Sequence, residues 1–135
     1  MPFDWEEYCS FGTSLVASAK GSLPEQAREA AYRTACSRAY YGAFNVALRI
    51  VKKTWSVPED GNTHRFVIDR FIHYSSRTAP SDKIAAYRRV GLELDRLRQY
   101  RNNADYDDDL DSPAETQAAL AVKIAQNTLD ELRKW

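Results

Sequence analysis

A chain of 135 residues is long enough for one ordinary domain with a buried core. Apolar residues make up 44% and charged residues 28%, a globular balance that excludes fibrous and disordered chains. Lys plus Arg equal Asp plus Glu at 19 each, so there is no bulk positive field, and any nucleic-acid contact has to come from local charge placement.

Cys9 and Cys36 are too few for a disulfide scaffold and lack metal-ligand spacing, so both read as small buried apolar residues in a reducing compartment. The first ten residues, MPFDWEEYCS, are acidic and lack the basic start and apolar run of a signal peptide. No apolar stretch approaches bilayer length. These features predict a cytoplasmic protein with no membrane association.

In chain order, the first helix is expected from about Phe3 to Ala19, with Trp5, Tyr8, Gly12, Leu15, Val16 and Ala19 as its apolar stripe. Ser22-Leu23-Pro24-Glu25 carries a start signature for the second, which runs to about Thr54 with Gly42 as its sole breaker. A loop around Pro58 and Gly61 precedes a short helix from about Thr63 to Tyr74. The next covers about Asp82 to Ala104, with Ile84, Tyr87, Val90, Leu94 and Leu97 as its seam. The acidic stretch Asp105–Asp111 leads to Ser112-Pro113-Ala114-Glu115, read as an N-cap, a first-turn Pro and a capping-box acid. The last helix uses Ala118, Val122, Ala125, Leu129 and Leu132. Strand-like alternation is missing, so the expected fold is all-α, an up-and-down four-helix bundle with one additional short helix, in a single domain over residues 1–135.

Two segments are too polar for their positions. In the long second helix, Arg38, Tyr41, Asn45 and Leu48 share one face. The interior Gly42 suggests close helix approach there. Core tyrosines with satisfied hydroxyls and a snorkelling Arg38 are the plain alternative. In the fourth helix Arg98, Arg101, Asn102 and Asp105 lie along one face, and two guanidiniums a turn apart suit a phosphate or carboxylate. A solvated face with an Arg101–Asp105 pair is the alternative.

Three segments together resemble the HEPN family. Arg38-Ala39-Tyr40-Tyr41-Gly42-Ala43-Phe44 is similar to its signature of an Arg followed by paired tyrosines and a Phe. Arg98 to Asp107, ending in Ala104-Asp105-Tyr106-Asp107, resembles its second signature, and Thr63-His64-Arg65 resembles the segment between them. The resemblance spans roughly Ala30 to Asp107. It implies a homodimer formed through the two motif helices, with a minimal nucleotidyltransferase antitoxin as partner and RNA or nucleotide as ligand.

Many HEPN proteins are metal-independent ribonucleases in which an Arg is followed about a turn later by a His. Here Tyr106 stands in the His place, preceded by Asp105, and a phenol with a pKa of about 10 accepts protons poorly at neutral pH. The catalytic candidates are therefore Arg101, Asp105, Tyr106 and, from the short helix, His64. The nucleic-acid or anion-binding candidates are Arg38, Tyr41, Arg98, Arg101 and Asn102. His73 is a weaker candidate, and Ser37, Cys36 and Thr63 have no adjacent base. The run Asp105, Asp107, Asp108, Asp109 and Asp111 lacks calcium-loop spacing, so no metal and no cofactor is expected. Its charges oppose the helix dipole, so that end is expected either to fray or to be held by Arg38 and Arg98.

Three functions are compatible with these residues. The first is a component of a two-component toxin–antitoxin or defence system that binds RNA or nucleotide, with Tyr106 or a neighbour as a target for nucleotide transfer. The second is a ribonuclease toxin with a non-standard site, in which Tyr41 orients the ribose. The third is a non-catalytic helical scaffold.

Overall fold

The computed structural model describes residues 2–134. It contains five helices, α1 (Glu6–Gly21), α2 (Glu25–Lys52), α3 (Thr63–Ile72), α4 (Ser81–Tyr106) and α5 (Ala114–Leu132), and no strand among the described residues. The expected elements all form, with ends displaced by a few residues. No helix among those described is long and apolar enough to cross a membrane.

Helix α2 contacts each of the other four and is the hub of the fold. Its sequence explains why. Ala31, Ala35, Ala39, Ala43 and Ala47 recur every fourth residue and all are buried, giving a row of methyl groups that lets neighbouring backbones come close. A second row at the same spacing, Tyr32, Cys36, Tyr40 and Phe44, is equally buried and supplies bulk. The third row, Arg33, Ser37, Tyr41 and Asn45, is polar, and it builds the site described below.

Two glycines mark the tightest crossings. A Cβ at Gly42 would stand 2.5 Å from Cys9 Sγ and 2.9 Å from the Trp5 carbonyl, so α1 lies directly on α2. A Cβ at Gly91 would stand 2.6 Å from the Ile72 nitrogen, so the end of α3 rests on α4. The close approach expected at Gly42 is present. From α5, Ala118, Ala121, Ala125, Leu129 and Leu132 close the core, whereas Val122 is only half-buried.

The helix starts differ from expectation. Pro24, Pro80 and Pro113 occupy the N-cap positions of α2, α4 and α5, and none of these helices has a side-chain cap. Ser22 instead bonds back to the Ser18 carbonyl at 3.2 Å, and Ser112 accepts from Gln117 Nε2 at 3.2 Å. Because a Pro follows each serine as the cap, the serine hydroxyl lies outside the position from which it reaches a first-turn amide. The expected capping box with Glu115 is not made.

Replacing Gly42 by Ala gains helix propensity but forces α1 away from α2, and overpacking of this kind costs about 1–3 kcal/mol. We expect Gly42→Ala to lower the urea midpoint at unchanged m-value, whereas an unchanged or raised midpoint would show that α1 can shift freely.

Candidate functional site

The polar row of α2 faces the C-terminal half of α4, and the two meet at Arg101. Its Nη2 donates to Tyr41 Oη at 2.5 Å and its Nη1 to Asn102 Oδ1 at 2.8 Å. Asp105 Oδ2 lies 3.0 Å from Nε as an ion pair that lacks hydrogen-bond alignment. The same guanidinium stands 5.0 Å from the Tyr41 ring centre and 5.4 Å from that of Tyr106. Its side chain is only 18% exposed, so the charge is fixed in place by a set of short contacts.

Arg98, one turn earlier on α4, is half-buried and makes no hydrogen bond or ion pair among the described residues. Its charge still reaches α2 and α3, where it favours the ionised form of Tyr40 and disfavours protonation of His64. A half-buried guanidinium without an acceptor is the feature of this crevice most suited to an incoming anion.

His64, in the first turn of α3, belongs to the same crevice. Its ring stacks on Phe44 at 4.2 Å and 13°, and Nδ1 lies 2.5 Å from Tyr40 Oη. Burial, then Arg98 and Arg101, hold its pKa below the ordinary histidine value, so the ring is uncharged at neutral pH. Burial pushes the Tyr40 phenol the other way, well above its ordinary value. His73 is at the far end of α3 and exposed.

The remaining candidates fall into different settings. Arg38 is turned toward α1, with its guanidinium 4.6 Å from the Tyr8 ring and 5.6 Å from that of Tyr41, and it donates to Ser37 Oγ at 3.3 Å. It therefore shares Tyr41 with Arg101 and does not touch the acidic run. Tyr106 is 72% exposed at the end of α4, its hydroxyl 3.5 Å from Arg101. Asp105 is committed to Arg101. Burial pushes the Cys36 and Cys9 thiols up to about 12, which leaves neither as a nucleophile.

Arg33 carries the role that had been expected of Arg38 and Arg98. Its Nη1 donates to the carbonyls of Ala104 at 2.9 Å and Asp107 at 2.7 Å, and its Nη2 to that of Asp108 at 3.1 Å. One guanidinium thus occupies the carbonyl end of α4 and offsets the acidic run that follows. Sequence reasoning passed over Arg33, although its spacing of eight from Tyr41 through Ser37 placed it on the same row. Tyr40 fits the plain alternative for this segment, a core tyrosine whose hydroxyl is satisfied. Among the described residues, no group of three His, Cys, Asp or Glu side chains is arranged to hold a metal ion.

No family model matches this chain, and no curated protein or solved structure does either.

Loss of the Arg33 clasp is expected to fray the end of α4. Arg33→Ala should cost about 1–3 kcal/mol in urea denaturation and speed amide exchange at Asp107, whose N–H bonds the Asn103 carbonyl at 3.0 Å. Unaltered exchange at Asp107 would mean that the turn holds itself.

Proposed function

We propose that this chain is a HEPN-like component of a two-component toxin–antitoxin or defence system, binding the phosphate backbone of single-stranded RNA, or a nucleotide, in the crevice between α2, α3 and α4. The observation that carries this reading is Arg98, half-buried and without an acceptor, one helical turn from an Arg101 that Tyr41, Asn102 and Asp105 hold still. A guanidinium held as Arg101 is, one turn from Arg98, suits a phosphate because little of its own rotamer freedom is left to lose on binding. Tyr106 adds an exposed ring at the mouth, on which an unstacked base can lie.

In this reading α1, α2, α4 and α5 form an up-and-down bundle with α3 as the additional short helix, supported by the short joints and by the contacts of α2 with every other helix. Two copies associate through α2 and α4, and a nucleotidyltransferase is the partner. The exposed Tyr106 hydroxyl beside Arg101 is the acceptor that such a partner would modify. Two free, buried thiols accord with a reducing, cytoplasmic setting.

Binding is favoured over cleavage. Phosphodiester cleavage by the ribose 2′-hydroxyl needs a proton acceptor, but Asp105 is tied to Arg101, and a phenol in the place of the usual His is a poor acceptor. The test uses a fluorescent single-stranded oligoribonucleotide with chelator present. The native chain should bind it with an affinity that falls as salt rises, and leave it intact. Arg98→Ala and Arg101→Ala should each weaken binding about tenfold, with thermal stability changed little for Arg98→Ala. Cleavage lost in Arg101→Ala would favour a ribonuclease. No binding, with a change only in dimer mass on size exclusion, would leave a scaffold.

A further inference from the structure

We infer that His64 serves this crevice as a hydrogen-bond donor and not as a base: Tyr40 fixes the neutral ring with its proton on Nε2, and that N–H is a third ligand, beside Arg98 and Arg101, for a bound oxyanion. The inference rests on reading the crevice as an anion site.

The reasoning starts at Tyr40, whose side chain is wholly shielded from solvent. A buried hydroxyl has to place its proton on an acceptor, and the one within reach is His64 Nδ1 at 2.5 Å. Were Nδ1 to carry the proton instead, both groups would be donors in that contact and the phenol hydrogen would be stranded. The phenol is not ionised to escape this, because burial opposes the phenolate. Nδ1 is therefore the lone-pair nitrogen and Nε2 the N–H. The ring is held by Phe44 in a near-parallel stack, which opposes the flip about Cβ–Cγ that would put carbon Cδ2 in the place of Nδ1. With Nδ1 turned to the interior and the residue half-buried, the open edge of the ring is the one bearing Nε2, which has no partner among the described residues.

A general base in that position would need a lone pair on Nε2, the one state that Tyr40 excludes. Tyr40 is thus a positioning residue: it acts through His64 and touches no ligand. Around the ring, α2 contributes the phenols of Tyr40 and Tyr41, and α4 contributes Arg98 and Arg101, the latter with Asp105. On α3 itself, Arg65 is balanced by Asp69 at 3.2 Å and by Asp95 of α4 at 3.3 Å. The uncompensated charge near His64 is therefore positive. A bound oxyanion opposes that field, so His64 takes up a second proton, on Nδ1 and with loss of the bond donated by Tyr40, more readily when the site is filled than when it is empty. By linkage, anion affinity rises as pH falls through the titration of the filled site, and levels off below that of the empty one.

The test reads the imidazole nitrogens directly by NMR, with His73→Gln used to assign His64. In the free native chain above neutral pH, His64 should show an unprotonated Nδ1 and a protonated Nε2. Sulfate, which does not titrate over roughly pH 5–8 where histidine does, is then exchanged for chloride at constant ionic strength. Its addition should raise the His64 midpoint by about half a pH unit or more, and Arg98→Ala should abolish that rise. Tyr40→Phe should yield a mixture of tautomers and weaker sulfate binding, while His64→Gln, which keeps a donor, should retain more sulfate affinity than His64→Leu. A proton on Nδ1 in the native chain, or a midpoint that sulfate leaves unmoved, overturns the inference. An oligoribonucleotide that fails to bind while sulfate still moves His64 removes the RNA reading and supports the donor role. One that binds and moves His64 as sulfate does supports both.

Discussion

The row of alanines along α2 is the constraint from which the rest of the architecture follows. Methyl groups every fourth residue allow α1 to approach so closely that Gly42 has no room for a Cβ, and they leave space for the aliphatic face of α5. With α2 enclosed in this way, its larger and more polar side chains are confined to the sides that meet α3 and α4. Tyr40 and Phe44 then have to find partners on α3, and Arg33 and Tyr41 have to find them on α4. The crevice is thus a result of helix packing before it is a matter of chemistry.

Along the α2–α4 seam the polar contacts come in reversed order: Arg33 meets the last carbonyls of α4, and Tyr41, two turns later, meets Arg101. Each contact satisfies a group that would otherwise be costly where it stands. The α4 carbonyls gain donors at a helix end, and the Arg101 guanidinium gains the oxygens of Tyr41, Asn102 and Asp105 and two aromatic rings. Arg98 is the contrast, a cation that the fold places in the same region with no acceptor among the described residues. Its lack of an acceptor is consistent with a role completed by a ligand.

Much of the fold was legible in the sequence, since helical periodicity and the clustering of Gly and Pro located all five helices. The polar residues of the Arg101 and Tyr41 segments were legible as two helix faces, but the contact between them is visible only in the structure. What escaped notice depends on reach rather than on pattern. Arg33 looks like one more surface arginine until its long side chain is seen spanning to the carbonyls of α4. His64 was placed in the region, but its tautomer depends on a phenol 24 residues away, a pairing that no local spacing encodes. The serine caps failed for a different reason, as the sequence rule for them overlooks a proline standing in the cap position.

Those prolines have a bearing on how the molecule behaves in acid. Where an aspartate or serine begins a helix, the start depends on a side-chain bond, and with aspartate on a charge that disappears on protonation. At Pro24, Pro80 and Pro113 the backbone φ is −61°, −60° and −54°, values that the pyrrolidine ring imposes covalently in the unfolded chain as well. The φ at the starts of α2, α4 and α5 is thereby set without any side-chain bond, although Glu25, Asp82 and Glu115 still place carboxylates in those first turns. What acid can remove there is the charge of those carboxylates, among them Asp82, which accepts from the Lys83 N–H at 3.0 Å, and not the backbone angle that the ring imposes.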